Sequence, residues 1–299
     1  MTTPIPTPAP TGGLRIPGVT ITSSKDILDA QTKLAMLLWA SGGKGKTRLA
    51  GQLHHLTQKH DGKPTLYIPL EEGEGGGAAT IRKLGIPMWE NIKDYSSLIS
   101  GLGAIRQDKQ LGGVVLDSGT FMVHKLVKPE ALKYPGRDKG APGMTRAAGV
   151  PTRSDYQVMG ELSRTVLQQL LNMSAAPDPA QRKHIIVTAG DRMREDQETG
   201  ALLYWGPDFP GAMADGAVQM FQLTATIEIK SAVVEGKRQT GRYLVTSSPV
   251  GAKAVKDRFE VFPAEIQIAG PDPSLGGLTL CEMWERYWLP AVAEAQSQS

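Results

Sequence analysis

Residues 40–47 read Ala-Ser-Gly-Gly-Lys-Gly-Lys-Thr, and they sit at a junction. Before them, residues 32–40 form a short apolar run of strand length. After them, residues 46–60 place Leu49, Leu53 and Leu56 at helical spacing until Gly62 stops the pattern. A buried strand that runs through a glycine-rich loop into a helix N-terminus aims several backbone N–H groups at one point. That point suits an anion. The segment follows the phosphate-loop pattern G-x-x-x-x-G-K-[ST], with Ala40 as a small stand-in for the first glycine. Ser41, Gly42, Gly43, Lys44, Gly45, Lys46, Thr47 and Arg48 are therefore the expected nucleotide-contacting stretch. In this register Lys46 reaches the β- and γ-phosphates of ATP, and the Thr47 hydroxyl ligates Mg²⁺. Lys44 is an extra cation that either faces solvent or adds charge near the phosphates.

A bound triphosphate with its metal calls for carboxylates. The run Val114-Val115-Leu116 ends at Asp117, where a strand tip beside the loop would hold the metal together with Thr47. The run 64–70 ends at Glu71 and Glu72. Adjacent side chains on a strand point to opposite faces, so one of the two would polarise or orient the attacking water.

The rest of the chain alternates strand-like and helix-like segments. Helices are expected over 77–85, 96–109 and 156–173, and strands over 64–72, 112–120 and 184–190. Two strand-like segments and a final helix follow. Such alternation implies an α/β fold: a mainly parallel twisted sheet flanked by helices, with antiparallel strands added toward the C-terminus. Residues 1–24, rich in Pro, Thr and Gly, read as a flexible lead, 25–270 as the core, and 271–299 as a helical extension.

Composition narrows the remaining classes. Among 299 residues, Lys and Arg exceed Asp and Glu by three, so net charge alone gives no case for nucleic-acid binding. No apolar run approaches a membrane span, and the first ten residues lack the pattern of a signal peptide, so a cytoplasmic protein with no membrane partner is expected. The single Cys281 excludes an intramolecular disulfide framework, and core packing is its expected role. His54, His55 and His60 share one helix at spacings poor for a metal, and no Cys/His cluster in the sequence supports zinc.

In the order of its parts the chain resembles the RecA-core ATPases, and among them the phage Sak-type ATPases of single-strand annealing and recombination. The resemblance rests on the phosphate loop, the strand ending Leu70-Glu71-Glu72-Gly73, the strand Val114-Val115-Leu116-Asp117-Ser118, the run 184–190 after a long helix, and Lys256-Asp257-Arg258. The lysine that partitioning ATPases carry at the position of Ser41 is absent. The resemblance implies a RecA-like P-loop NTPase that hydrolyses ATP with Mg²⁺, binds single-stranded DNA and assembles with itself into a ring or filament. It also implies a single-strand-binding protein as a partner and, for a phage-encoded chain, a place in the bacterial host cytoplasm. It makes Lys256 and Arg258 a finger reaching into a neighbouring copy's site. It turns the stretch 125–153 into a mobile DNA-contacting loop carrying Lys125, Lys128, Lys133, Arg137, Lys139, Arg146 and Arg153. The stretch 191–210 is read as a second, charge-mixed polar loop, and Thr188 as a substitute for a phosphate-sensing polar residue. Two alternatives remain: a packaging or helicase-type phage motor, and a nucleotide-gated assembly protein with little turnover.

Overall fold

The computed structural model describes residues 33–71, 78–133, 151–195, 199–234, 237–248, 252–270 and 276–297. Strand β1 (Ala35–Trp39) leads through the loop into α1 (Lys46–Gly51) and α2 (Leu53–Asp61). Next come β2 (Thr65–Pro69), α3 (Ala78–Arg82), α4 (Tyr95–Gln107) and β3 (Gly113–Asp117). Helices α5 (Gly119–Met122) and α6 (Lys128–Lys133) are joined by a wide π-turn, Val123–Val127. After α7 (Arg153–Ser174) follow β4 (His184–Ala189), β5 (Asp191–Glu195), β6 (Leu202–Pro207) and α8 (Met213–Met220). The last part holds β7 (Leu223–Val234), β8 (Lys237–Val245), β9 (Lys256–Asp257) and β10 (Glu265–Ile268). Helices α9 (Leu280–Met283) and α10 (Leu289–Ser297) close the described chain, with a second π-turn, Trp284–Trp288, between them.

The main sheet runs β10-β8-β7-β1-β4-β3-β2, with β9 also paired to β7. β1 is parallel to both β4 and β7, and β3 is parallel to both β4 and β2. The pairs β7–β8, β8–β10 and β7–β9 are antiparallel. This is the expected fold class.

The reason lies in how β1 is covered. All five of its residues are buried. Ala35, Leu37 and Trp39 join a core under α4, α7 and α8. Leu34, Met36, Leu38 and Ala40 face the other way, into a core with Leu49, Leu53 and Leu56 of α1 and α2. Two apolar faces at period two are what a central parallel strand requires. The C-terminal helical segment belongs to the second core, through Leu280, Met283, Trp284 and Trp288.

Two sequence expectations are corrected here. Residues 125–133 are helical and not part of a mobile loop, because Val123, Leu126, Val127 and Ala131 are buried along one side. Lys125 and Lys133 stand exposed on that helical stretch and Lys128 is half-buried, with Lys133 paired to Glu130. Arg153 is the first residue of α7. Arg137, Lys139 and Arg146 lie outside the described residues. Within the expected loop 191–210, residues 191–195 and 202–207 pair as an antiparallel two-stranded sheet, β5–β6. β5 is largely charged, and β6 carries Leu203, Tyr204 and Trp205 in succession with Leu203 and Trp205 exposed, so neither strand shows the apolar alternation of a half-buried strand.

Candidate functional site

The loop's shape follows from its glycines. Gly43 has φ +75° and Gly45 has φ +105°, values that side-chain-bearing residues rarely adopt. Gly45 is also the N-cap of α1, so the backbone turns directly into the helix and leaves its first N–H groups pointing into the loop.

The two lysines are separated by this geometry. The Lys46 Nζ donates to the carbonyls of Ala40 (2.7 Å) and Ser41 (3.1 Å), the residues that open the loop. Lys46 is therefore the inward cation. Burial pushes its ammonium below the usual lysine pKa, against the pull of Asp117, Glu71 and Asp191. Lys44 turns elsewhere. Its side chain lines a cavity of about 230 Å³ with Trp39, Ser41, Asp191, Trp205 and Lys253, and its carbonyl accepts from Arg242 Nε at 3.1 Å.

Thr47 and Asp117, 70 residues apart in sequence, meet at 2.7 Å between Oγ1 and Oδ2. Asp117 is 3% exposed. It accepts two more hydroxyls, Tyr67 on the same Oδ2 and Thr188 on Oδ1. Three neutral donors satisfy this buried carboxylate, with no salt bridge to it among the described residues, which leaves its charge available to a cation. A hydroxyl beside a carboxylate, both oxygen donors, fits a hard divalent ion such as Mg²⁺. Thr188 thus faces Asp117. Burial, and then the negative charge of Asp117, hold the Tyr67 phenol far above its usual pKa.

Glu71 follows β2 and is half-buried. Burial raises its carboxyl above the ordinary range, the Asp117 charge adds to that, and Lys46 opposes it. Glu71 thus lies within electrostatic reach of both residues. Glu72 lies outside the described residues.

Arg48 is exposed on α1. Lys256 and Arg258 lie far from the loop of their own copy. β9 pairs with the first residues of β7, whereas the loop follows the last residue of β1. Both side chains donate to the Gln219 carbonyl, at 3.4 Å and 2.8 Å, where they cap the C-terminal end of α8.

Three residues of the site escape a reading of the sequence. Tyr67 sits inside an apolar run, where a phenol reads as core. Asp191 accepts from Ser41 Oγ at 2.7 Å. Arg242 packs its side chain 3.4 Å from where a Gly45 Cβ would stand. Each comes from a different element, and no motif spacing ties it to the loop.

No family model and no curated protein sequence matches the chain. Among solved structures it is similar to a KaiC-like protein from the hyperthermophilic archaeon Pyrococcus horikoshii OT3, at 14% identity and a TM-score of 0.36. The likeness covers 70% of this chain and 76% of that one, and at such a distance it says nothing of activity.

Proposed function

We propose that the protein is an ATPase of the RecA-like kind that holds Mg-ATP in the loop 40–47. The observation that carries this reading is the Thr47–Asp117 contact directly behind a phosphate loop. Loop amides and Lys46 bind the triphosphate oxygens. Thr47 and Asp117 hold the metal, and Mg²⁺, when bound, neutralises charge on those oxygens. Glu71 orients a water and accepts its proton as the water oxygen bonds to the γ-phosphorus and the bond to the departing ADP oxygen breaks. Lys256 and Arg258 act, in this reading, on the triphosphate of a second copy, since they point away from their own.

The coupling of hydrolysis to single-stranded DNA in phage recombination or annealing, and the single-strand-binding partner, rest on the resemblance. The exposed Lys125 and Arg153 are compatible with contacts to a phosphate backbone. The test is the ATPase rate with and without a single-stranded oligonucleotide, at low and moderate salt. Stimulation that weakens with salt is expected. A rate unaffected by single strands but raised by duplex DNA would replace the recombination reading with a motor. Binding of ATP with almost no turnover under any condition would replace it with a nucleotide-gated assembly protein.

A further inference from the structure

A second group of metal-ligating side chains lies where the C-terminal end of helix α2 meets the C-terminal helical segment. The His60 Nε2 is 3.0 Å from Glu285 Oε1, the Cys281 Sγ is 3.5 Å from the same oxygen, and Sγ and Nε2 are 3.8 Å apart. His60 stands in the last turn of α2. Cys281 and Glu285 are one helical turn apart on the C-terminal segment, so both face α2. The thiol is 4% exposed and the His60 side chain 25%, which leaves one side of the triplet open to water.

These separations have a chemical meaning. Around a tetrahedral Zn²⁺, the usual bond lengths place sulfur about 3.5 Å from a nitrogen or oxygen ligand, and nitrogen about 3.3 Å from oxygen. All three observed edges fall close to those values with no side-chain movement. A thiol, an imidazole and a carboxylate form a borderline-soft donor set that prefers Zn²⁺ over Mg²⁺, the reverse of the all-oxygen Thr47–Asp117 pair. The geometry points to a binding site for a thiophilic divalent cation at His60, Cys281 and Glu285, with solvent water as fourth ligand, that ties the C-terminal helices to helix α2. Binding replaces the S–H bond by a metal–sulfur bond and releases one proton to solvent. Lys59, which pairs with Glu285 and is half-exposed, swings out to water.

The tie joins two parts that already share a core. Leu280, Met283, Trp284 and Trp288 pack in the same cluster as Leu53 and Leu56 of α2. The metal would add a polar clasp at the open edge of that apolar contact.

The competing explanation is a clamp of hydrogen bonds alone, with Glu285 drawing His60, Cys281 and Lys59 together. The experiment uses the full chain, freed of metal by chelation and without nucleotide. Co²⁺ is titrated in as the spectroscopic probe and Zn²⁺ for affinity. One equivalent of Co²⁺ should produce a sulfur-to-cobalt charge-transfer band, and Zn²⁺ should displace it. Cys281→Ser should abolish the band, and His60→Gln and Glu285→Gln should each weaken Zn²⁺ binding at least tenfold. Zn²⁺ should also raise the melting temperature of the wild type and leave that of Cys281→Ser unchanged. Serine is nearly isosteric, so this variant should melt close to the metal-free wild type; should it fail to fold, protection of the wild-type thiol from alkylation by Zn²⁺ gives the same answer. Co²⁺ bound without a sulfur band, equal Zn²⁺ affinity in wild type and Cys281→Ser, or unprotected alkylation would each overturn the site.

Discussion

The Tyr67 hydroxyl donates to the same Asp117 oxygen that accepts from Thr47. Strand β2 therefore supports the carboxylate that strand β3 carries to the loop. Tyr67→Phe removes one donor and keeps the ring. Because a hydrogen bond to a buried charge contributes about 1.5–3 kcal/mol, the variant should lose stability on that order in chemical denaturation. Mg-ATP affinity should change less than tenfold, since Thr47 and Thr188 still hold Asp117. Asp117→Asn should instead cut turnover by roughly a hundredfold or more and abolish its Mg²⁺ dependence. Equal losses in the two variants would mean that Tyr67 itself acts on the nucleotide.

Glu71 is held above the usual carboxylate range by burial and by the Asp117 charge. A carboxyl with a raised folded pKa costs stability when ionised. The cost is absent below the unfolded pKa and fully present above the folded one. Glu71→Gln should thus melt higher than wild type near neutral pH, and the difference should shrink as pH falls toward the unfolded value. The same variant should bind ATP while turnover drops by about 10²–10⁴-fold. Normal turnover in this variant would remove Glu71 from the chemistry.

Arg242 donates through Nε to the Lys44 carbonyl and leans on Gly45. It braces the loop from β8, a strand far away in sequence. Arg242→Ala should weaken nucleotide binding about tenfold, the equivalent of one ordinary hydrogen bond. Arg242→Lys keeps the charge but loses the planar fork, so it should behave like alanine if the brace is what matters. Wild-type affinity in the lysine variant would show that charge alone suffices.

His184 is fully buried, with Leu34 N–H donating to Nδ1 and Asp61 3.5 Å from Nε2. Burial lowers its pKa from 6.5 to about 4, although Asp61 pulls the other way. Burial raises Asp61, but the nearby His184 ring and the hydrogen bond from Lys33 outweigh it and hold its carboxyl at about 2. For His184, the unfolded chain binds the extra proton between pH 6.5 and 4. Its stabilisation is complete above 6.5 and is lost as pH falls through about 4, at a magnitude on the order of 2–3 kcal/mol. Asp61 adds a second loss below about pH 4. The melting temperature should fall between pH 6.5 and 4, and His184→Asn should flatten that slope and also shrink, without abolishing, the decline below pH 4, since Lys33 still holds Asp61. An unchanged slope in the variant would exonerate His184.

Lys256 and Arg258 cap α8 at the far end of the sheet from their own loop. If they complete a neighbour's site, Lys46→Ala and Arg258→Ala proteins, each inactive, should recover part of the turnover when mixed. The wild-type rate per molecule should also fall on dilution. A mixture as inactive as its components, with Arg258→Ala folded and still binding ATP, would leave the two residues as helix caps only.

The glycine-rich loop between strand and helix, the closeness of Thr47 to Asp117 and the alternating α/β order were legible from local pattern. Each is written in consecutive residues: glycines where φ must be positive, apolar residues at period two where both strand faces are buried, a carboxylate at a strand tip. The β5–β6 pair and the helical course of 125–133 were not. The first pairs a charged strand with one whose Leu203 and Trp205 stay exposed, so neither alternates, and the second hides its apolar side within a lysine-bearing stretch. What only the tertiary structure decided is which distant side chains share a space. Tyr67 and Thr188 around Asp117, Arg242 against the loop, and His60 beside Cys281 and Glu285 are joined by no spacing rule. Strand order and helix docking place them together, and those depend on how two apolar faces close around one sheet.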